Sequence, residues 1–90
     1  MATIALPARL TMGDAAATLA QLQQALASAD AAPVLDAAPL QALDTAAVAV
    51  LLECRRLAQV AGKTLTVQGA PVKLTELATL YGVEGLLGLA

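Results

Sequence analysis

The stretch from Leu43 to Gly62, LDTAAVAVLLECRRLAQVAG, constrains the fold more than any other part of this chain. Asp44 is a strong helix N-cap residue, because its carboxylate can accept from the free N–H groups of a first turn. Gly62 suits the left-handed residue that stops a helix. Between them the spacing predicts a helix from Thr45 to about Ala61. Its apolar stripe is Ala47, Val50, Leu51, Cys54, Leu57, Ala58 and Ala61, with Glu53, Arg55, Arg56 and Gln59 on the wet side. A helix oily along one side must bury it against other elements, so the rest of the chain has to supply partners.

Those partners alternate between strand-like and helix-like segments. TIALPARL, Thr3 to Leu10, reads as a strand in which Pro7 is tolerated only at an edge or an irregularity. A turn over Thr11–Asp14 leads into a helix from Asp14 to Ala29. Leu19, Leu22 and Leu26 line one side of it, and Gln21, Gln24 and Ser28 lie away from them. Ala32 to Asp36 is a short apolar run between Pro and Asp, consistent with a buried strand. KTLTVQG, Lys63 to Gly69, alternates with Leu65 and Val67 facing one way. Pro71 suits the first turn of a third helix that turns Leu74, Leu77, Ala78 and Tyr81 inward and ends at Gly82. In the apolar tail, Leu86 and Leu87 are expected to tuck back onto the core.

Strand and helix thus alternate through one domain, residues 1–90, of the α/β class with a mostly parallel sheet and alternating helices packed against it. In such sheets functional loops gather beyond the carboxyl ends of the strands. The turns at Thr11–Asp14, Leu40–Ala47 and Gly69–Val72 are therefore expected on one edge, with Asp44-Thr45 in the middle turn.

Composition narrows the function. The chain is 59% hydrophobic, yet its one aromatic residue is Tyr81, so Leu, Val and closely packed Ala must form the core. No segment reaches the roughly 18–20 uninterrupted apolar residues of a membrane span, and direct membrane insertion is not expected. MATIALPARLTMGD has neither a basic n-region nor a long apolar h-region, so no signal peptide is expected and the cytoplasm is the default compartment. A net charge of −2 argues against a nucleic-acid surface. There is no histidine, which removes Ser-His and Cys-His nucleophile pairs and the commonest metal ligand. The acids fall into no metal-binding spacing, TMGDAAAT lacks the P-loop lysine, and no cofactor-binding pattern is present. Cys54, alone and inside an apolar helix, reads as an inert packing residue. An enzyme is not expected.

Capping accounts for Asp44 but less well for Thr45, whose β-branched hydroxyl has no strong advantage at a first helical position. The small Ala46 and Ala47 leave that helix end sterically bare. Capping alone, receipt of a phosphate and seating of another protein's side chain all remain open for Thr45.

The order of elements, Leu35-Asp36 closing a strand, the Asp44-Thr45 helix start, AGKTLTVQGAP and LATLYGV together resemble the STAS domain family over Pro33 to about Leu87. Family members usually carry Asp-Ser-Ser-Gly or Asp-Thr-Gly-Gly at the helix start. This chain has Asp44-Thr45-Ala46-Ala47, which preserves the hydroxyl but loses the small glycine positions. Thr after the Asp, TLTVQG and LATLYGV are most similar to the MlaB-like branch. That resemblance implies a non-catalytic cytoplasmic subunit held at the inner-membrane face by its partner, the ATPase subunit of an ABC-type phospholipid transporter that maintains outer-membrane lipid asymmetry. The expected contact face comprises Asp44, Thr45, Ala46, Val48 and Ala49, with Met12, Leu40 and Val72 as neighbours. The next resemblance is to anti-sigma-factor antagonists, where a partner anti-sigma factor kinase would phosphorylate Thr45.

Overall fold

Pro7 divides the N-terminal extended segment in two. In the computed structural model, which describes residues 3–89, Thr3–Ala5 forms β1 and Arg9–Leu10 forms β2, and the two belong to different sheets. The single strand expected over Thr3 to Leu10 is corrected accordingly. Proline has a fixed φ and no N–H to donate, so the ladder cannot run through it. Beyond the break, the Ala8 carbonyl accepts the amides of Gln41 and Ala42, which starts a second pairing.

The first helix, α1, spans Ala15–Ser28, and the middle strand β3 spans Val34–Asp36. A two-residue strand β4, Ala42–Leu43, lies in what the sequence presents as loop, followed by α2 over Thr45–Val60. The last strand β5 is Thr66–Gln68 and the last helix α3 is Val72–Leu80. One sheet has the order β1-β3-β5, the other pairs β2 with β4, and every pairing among the described residues is parallel. The α/β class with parallel strands and intervening helices holds.

Burial follows position in the sheet. β3, flanked on both sides, buries Val34 and Leu35, whereas the edge strands β1 and β5 each keep both end residues exposed. A strand flanked in this way favours consecutive apolar residues, and an edge strand does not. α2 packs between α1 and α3. With neighbours on either side, its buried face widens to Ala47, Val48, Val50, Leu51, Cys54 and Ala58. Leu6, Leu10, Leu35, Leu51 and Leu74, with Pro33 and Cys54, are the largest fully enclosed side chains among the described residues.

Several inward expectations are corrected at the ends of helices. Ala61 lies past the end of α2 and is exposed, Tyr81 at the C-cap of α3 is 55% exposed, and Leu86 stays out while Leu87 tucks in. The helix stop at Gly62 has φ +73° as its position requires. Gly69 is the more demanding glycine. Its φ is +69°, and a Cβ there would lie 3.0 Å from Asp36 Oδ1 and 3.1 Å from the Ala38 Cβ. The close approach holds the loop after β5 against the loop after β3.

Lys63 supplies a contact that periodicity does not disclose. Its ammonium donates to the carbonyls of Leu26, Ala27 and Ala29 at 2.6, 3.4 and 2.8 Å. These are the terminal acceptors of α1, where a cation also complements the helix dipole.

Candidate docking site

The start of α2 is built by Asp44. Its backbone is extended, and its carboxylate Oδ1 accepts the Ala46 amide at 2.8 Å as an N-cap. The other oxygen, Oδ2, accepts the Met12 amide at 3.1 Å. One side chain therefore caps the helix and ties down the loop that precedes α1. Asp14, the expected start of that helix, serves differently. It makes no side-chain cap; its Oδ2 accepts from the Thr11 hydroxyl, the Thr11 amide and Arg9. Those bonds, the Thr11 hydroxyl foremost, hold the Asp14 carboxyl below the usual carboxylate range.

Thr45, the first residue of α2, is exposed. Its hydroxyl has no hydrogen-bond partner among the described residues. Beside it lies a shallow depression of about 400 Å³ lined by Thr45, Val48, Ala49, Leu52 and Tyr81. No carboxylate, amine or thiol lines it, and both oxygens of Asp44 are already engaged with backbone amides. A threonine hydroxyl needs a neighbouring base to become a nucleophile. The arrangement instead offers small apolar groups, one aromatic ring and one hydroxyl, which suits contact with another surface.

The structure sorts the expected face into three groups. Thr45 and Ala49 are exposed and share the depression, with Ala46 half-buried next to Thr45. Met12, 75% exposed, is joined to this end of α2 through Asp44. Val48, expected on the contact face, and Leu40, expected as its neighbour, are each only 4% exposed, which corrects their placement at the outer surface. Val48 forms the floor of the depression, since α3 packs on that flank of α2, and Leu40 belongs to the core. Val72 is exposed but sits at the opposite end of α3 from Tyr81, the α3-side residue that lines the depression.

Tyr81 and Leu52 are the residues that sequence reasoning missed. Spacing along α3 assigned the tyrosine inward; its position at the helix C-cap, just before Gly82, was the signal that the chain turns away there.

A model of the family described as Mlab, STAS domain matches residues 1–88 of the chain. Among solved structures, the STAS domain of a SulP transporter from Vibrio cholerae is similar. The TM-score is 0.72 at 18% identity, covering 97% of this chain and 67% of that one. At that identity the likeness speaks for the fold alone. No curated protein matches the chain.

Proposed function

The chain belongs to the STAS family, in its MlaB-like branch, and from that premise we propose that it is a non-catalytic subunit of an ABC-type phospholipid transporter. It docks on the transporter's ATPase through the N-terminal end of α2, supports that subunit, and so serves outer-membrane lipid asymmetry. Its place is the cytoplasmic face of the inner membrane, reached through the partner. Among the described residues no helix is long and apolar enough to cross a membrane.

One observation carries the reading: Thr45 stands exposed at the edge of an apolar depression with no acid–base group beside it. Interfaces of this kind concentrate their energy in aromatic anchors near the centre, and Tyr81 is the single aromatic residue of the chain. The docking partner would cover the Thr45 hydroxyl and the Tyr81 ring together.

The same exposed hydroxyl is what an anti-sigma factor kinase would need, and that is the second reading. It stands second because Thr45 after the Asp, TLTVQG and LATLYGV are most similar to the MlaB-like branch, whose family model matches residues 1–88. Co-expression with the ATPase and permease of a phospholipid transporter separates the two. Stable co-purification with raised ATPase turnover supports the transporter reading. Phosphate on Thr45 after incubation with an anti-sigma factor kinase, without ATPase binding, supports the other.

A further inference from the structure

A second contact surface lies at the far end of α2, about 24 Å from Thr45 at the rise of an α-helix. There the ends of α1 and α2 enclose an apolar groove of about 210 Å³, formed by Leu26, Ala27, Leu57, Ala58 and Ala61 with Lys63 at its rim. Lys63 also borders an adjoining polar depression of about 280 Å³, where Arg55 and Gln59 stand. Neither space is lined by an acidic residue.

We propose that this paired groove seats an extended segment of another protein, with one branched aliphatic side chain in the apolar part and an acidic side chain on Arg55. Charge decides the chemistry of the occupant. Arg9 is paired with Asp14 and Arg56 with Glu53, but Arg55 reaches only the neutral Gln59 among the described residues. The Lys63 ammonium is already directed at three carbonyls of α1. Of the two cations at the groove, Arg55 is therefore the one left with donors for a carboxylate, which its planar fork suits.

Shape decides the class. Small-molecule sites generally bury most of the ligand. Both halves of this groove are open along one side. It accepts an anchor residue whose backbone stays outside. One such anchor gives weak binding by itself, about millimolar. Linked to a larger contact in the same assembly, it raises overall affinity through effective concentration.

The test is an amide-shift titration of the full chain by NMR with the peptide N-acetyl-Ser-Leu-Asp-Glu-amide. Titration to about 10 mM should move the amides of Ala27, Ala58 and Ala61 with a Kd of about 1 mM. Replacing the two acids of the peptide by lysine, or its leucine by alanine, should weaken binding at least about tenfold. Arg55→Gln should weaken the acidic peptide by a similar factor, and its otherwise unchanged spectrum shows that the fold is kept. The proposal fails if those amides stay still, if acidic and basic peptides bind alike, or if Arg55→Gln has no effect. It fails equally if octanoate moves the same amides as strongly, which would assign the groove to an amphiphile. None of these results depends on the Thr45 face.

Discussion

The carboxylate of Asp44 accepts the Met12 amide at 3.1 Å across 32 residues of chain, while its other oxygen caps α2 at Ala46. The loop before α1 and the first turn of α2 are therefore one unit, held by a single side chain. Asp44→Ala removes the cap and the tether together and should cost about 0.5–2 kcal/mol of stability, the usual worth of an N-cap. Urea denaturation checks this. Asn keeps an acceptor for only one of the two amides, so Asp44→Asn should fall between wild type and alanine.

Tyr81 should matter to binding far more than to folding. Its ring is 55% exposed and borders the depression beside Thr45. Tyr81→Ala should leave the denaturation midpoint within the small change of a surface substitution and cost about 2 kcal/mol or more of partner affinity. Isothermal titration with the ATPase subunit measures the second quantity directly.

At Gly69 the backbone and the space both exclude a side chain. A Cβ would meet Asp36 Oδ1 at 3.0 Å, in a conformation, φ +69°, that other residues adopt at a cost. Gly69→Ala should destabilise by about 1–3 kcal/mol, seen as a lower urea midpoint. Gly62→Ala has a similar φ but open space around it, so it should cost less.

Cys54 is fully enclosed, and burial pushes its thiol up to about 11. Iodoacetamide at pH 8 should leave native protein unlabelled and label it after denaturation. The stability consequence has a definite sign. The unfolded thiol ionises near its ordinary value of 9.0 while the folded one stays neutral, so the unfolded state binds fewer protons between about 9 and about 11. Stability owed to Cys54 is complete below that window and is lost as pH rises through it. Wild type measured against Cys54→Ala at pH 8 and pH 10.5 isolates the effect, because the other titrating groups cancel.

Lys63→Met keeps the aliphatic stem but withdraws the ammonium from the last carbonyls of α1. The loss should be about 1–2 kcal/mol, with hydrogen exchange faster at the C-terminal turn of α1 than at its start.

Helices and the middle strand are legible in the sequence where punctuation and pattern agree. Asp44 and Gly62 bracket α2, and the consecutive Val34-Leu35 marks a strand with neighbours on both sides. The Asp44-Thr45 start of α2, where the candidate site lies, is legible for the same reason. Two-residue strands carry no period at all, so the β2–β4 pairing emerges only when Pro7 turns the chain and Ala8 offers its carbonyl to Gln41 and Ala42. A helical stripe drawn for one contact face also misplaces residues on an element with two neighbours. Val48 is buried because α3 lies on that flank, and Leu40 is buried because the turn closed by its amide on the Ala37 carbonyl leaves its side chain in the core cluster. The bridge from Asp44 to Met12 and the reach of Lys63 to α1 span more than thirty residues, beyond anything local spacing encodes.

The central claim, that the Thr45 end of α2 is the docking face, is tested most directly by the affinity of Thr45→Glu for the transporter ATPase. An unpaired carboxylate forced into a desolvated contact is strongly unfavourable, so binding should weaken by about 100-fold or more while the urea midpoint stays close to wild type. Wild-type affinity in that variant, with the fold intact, would contradict the account.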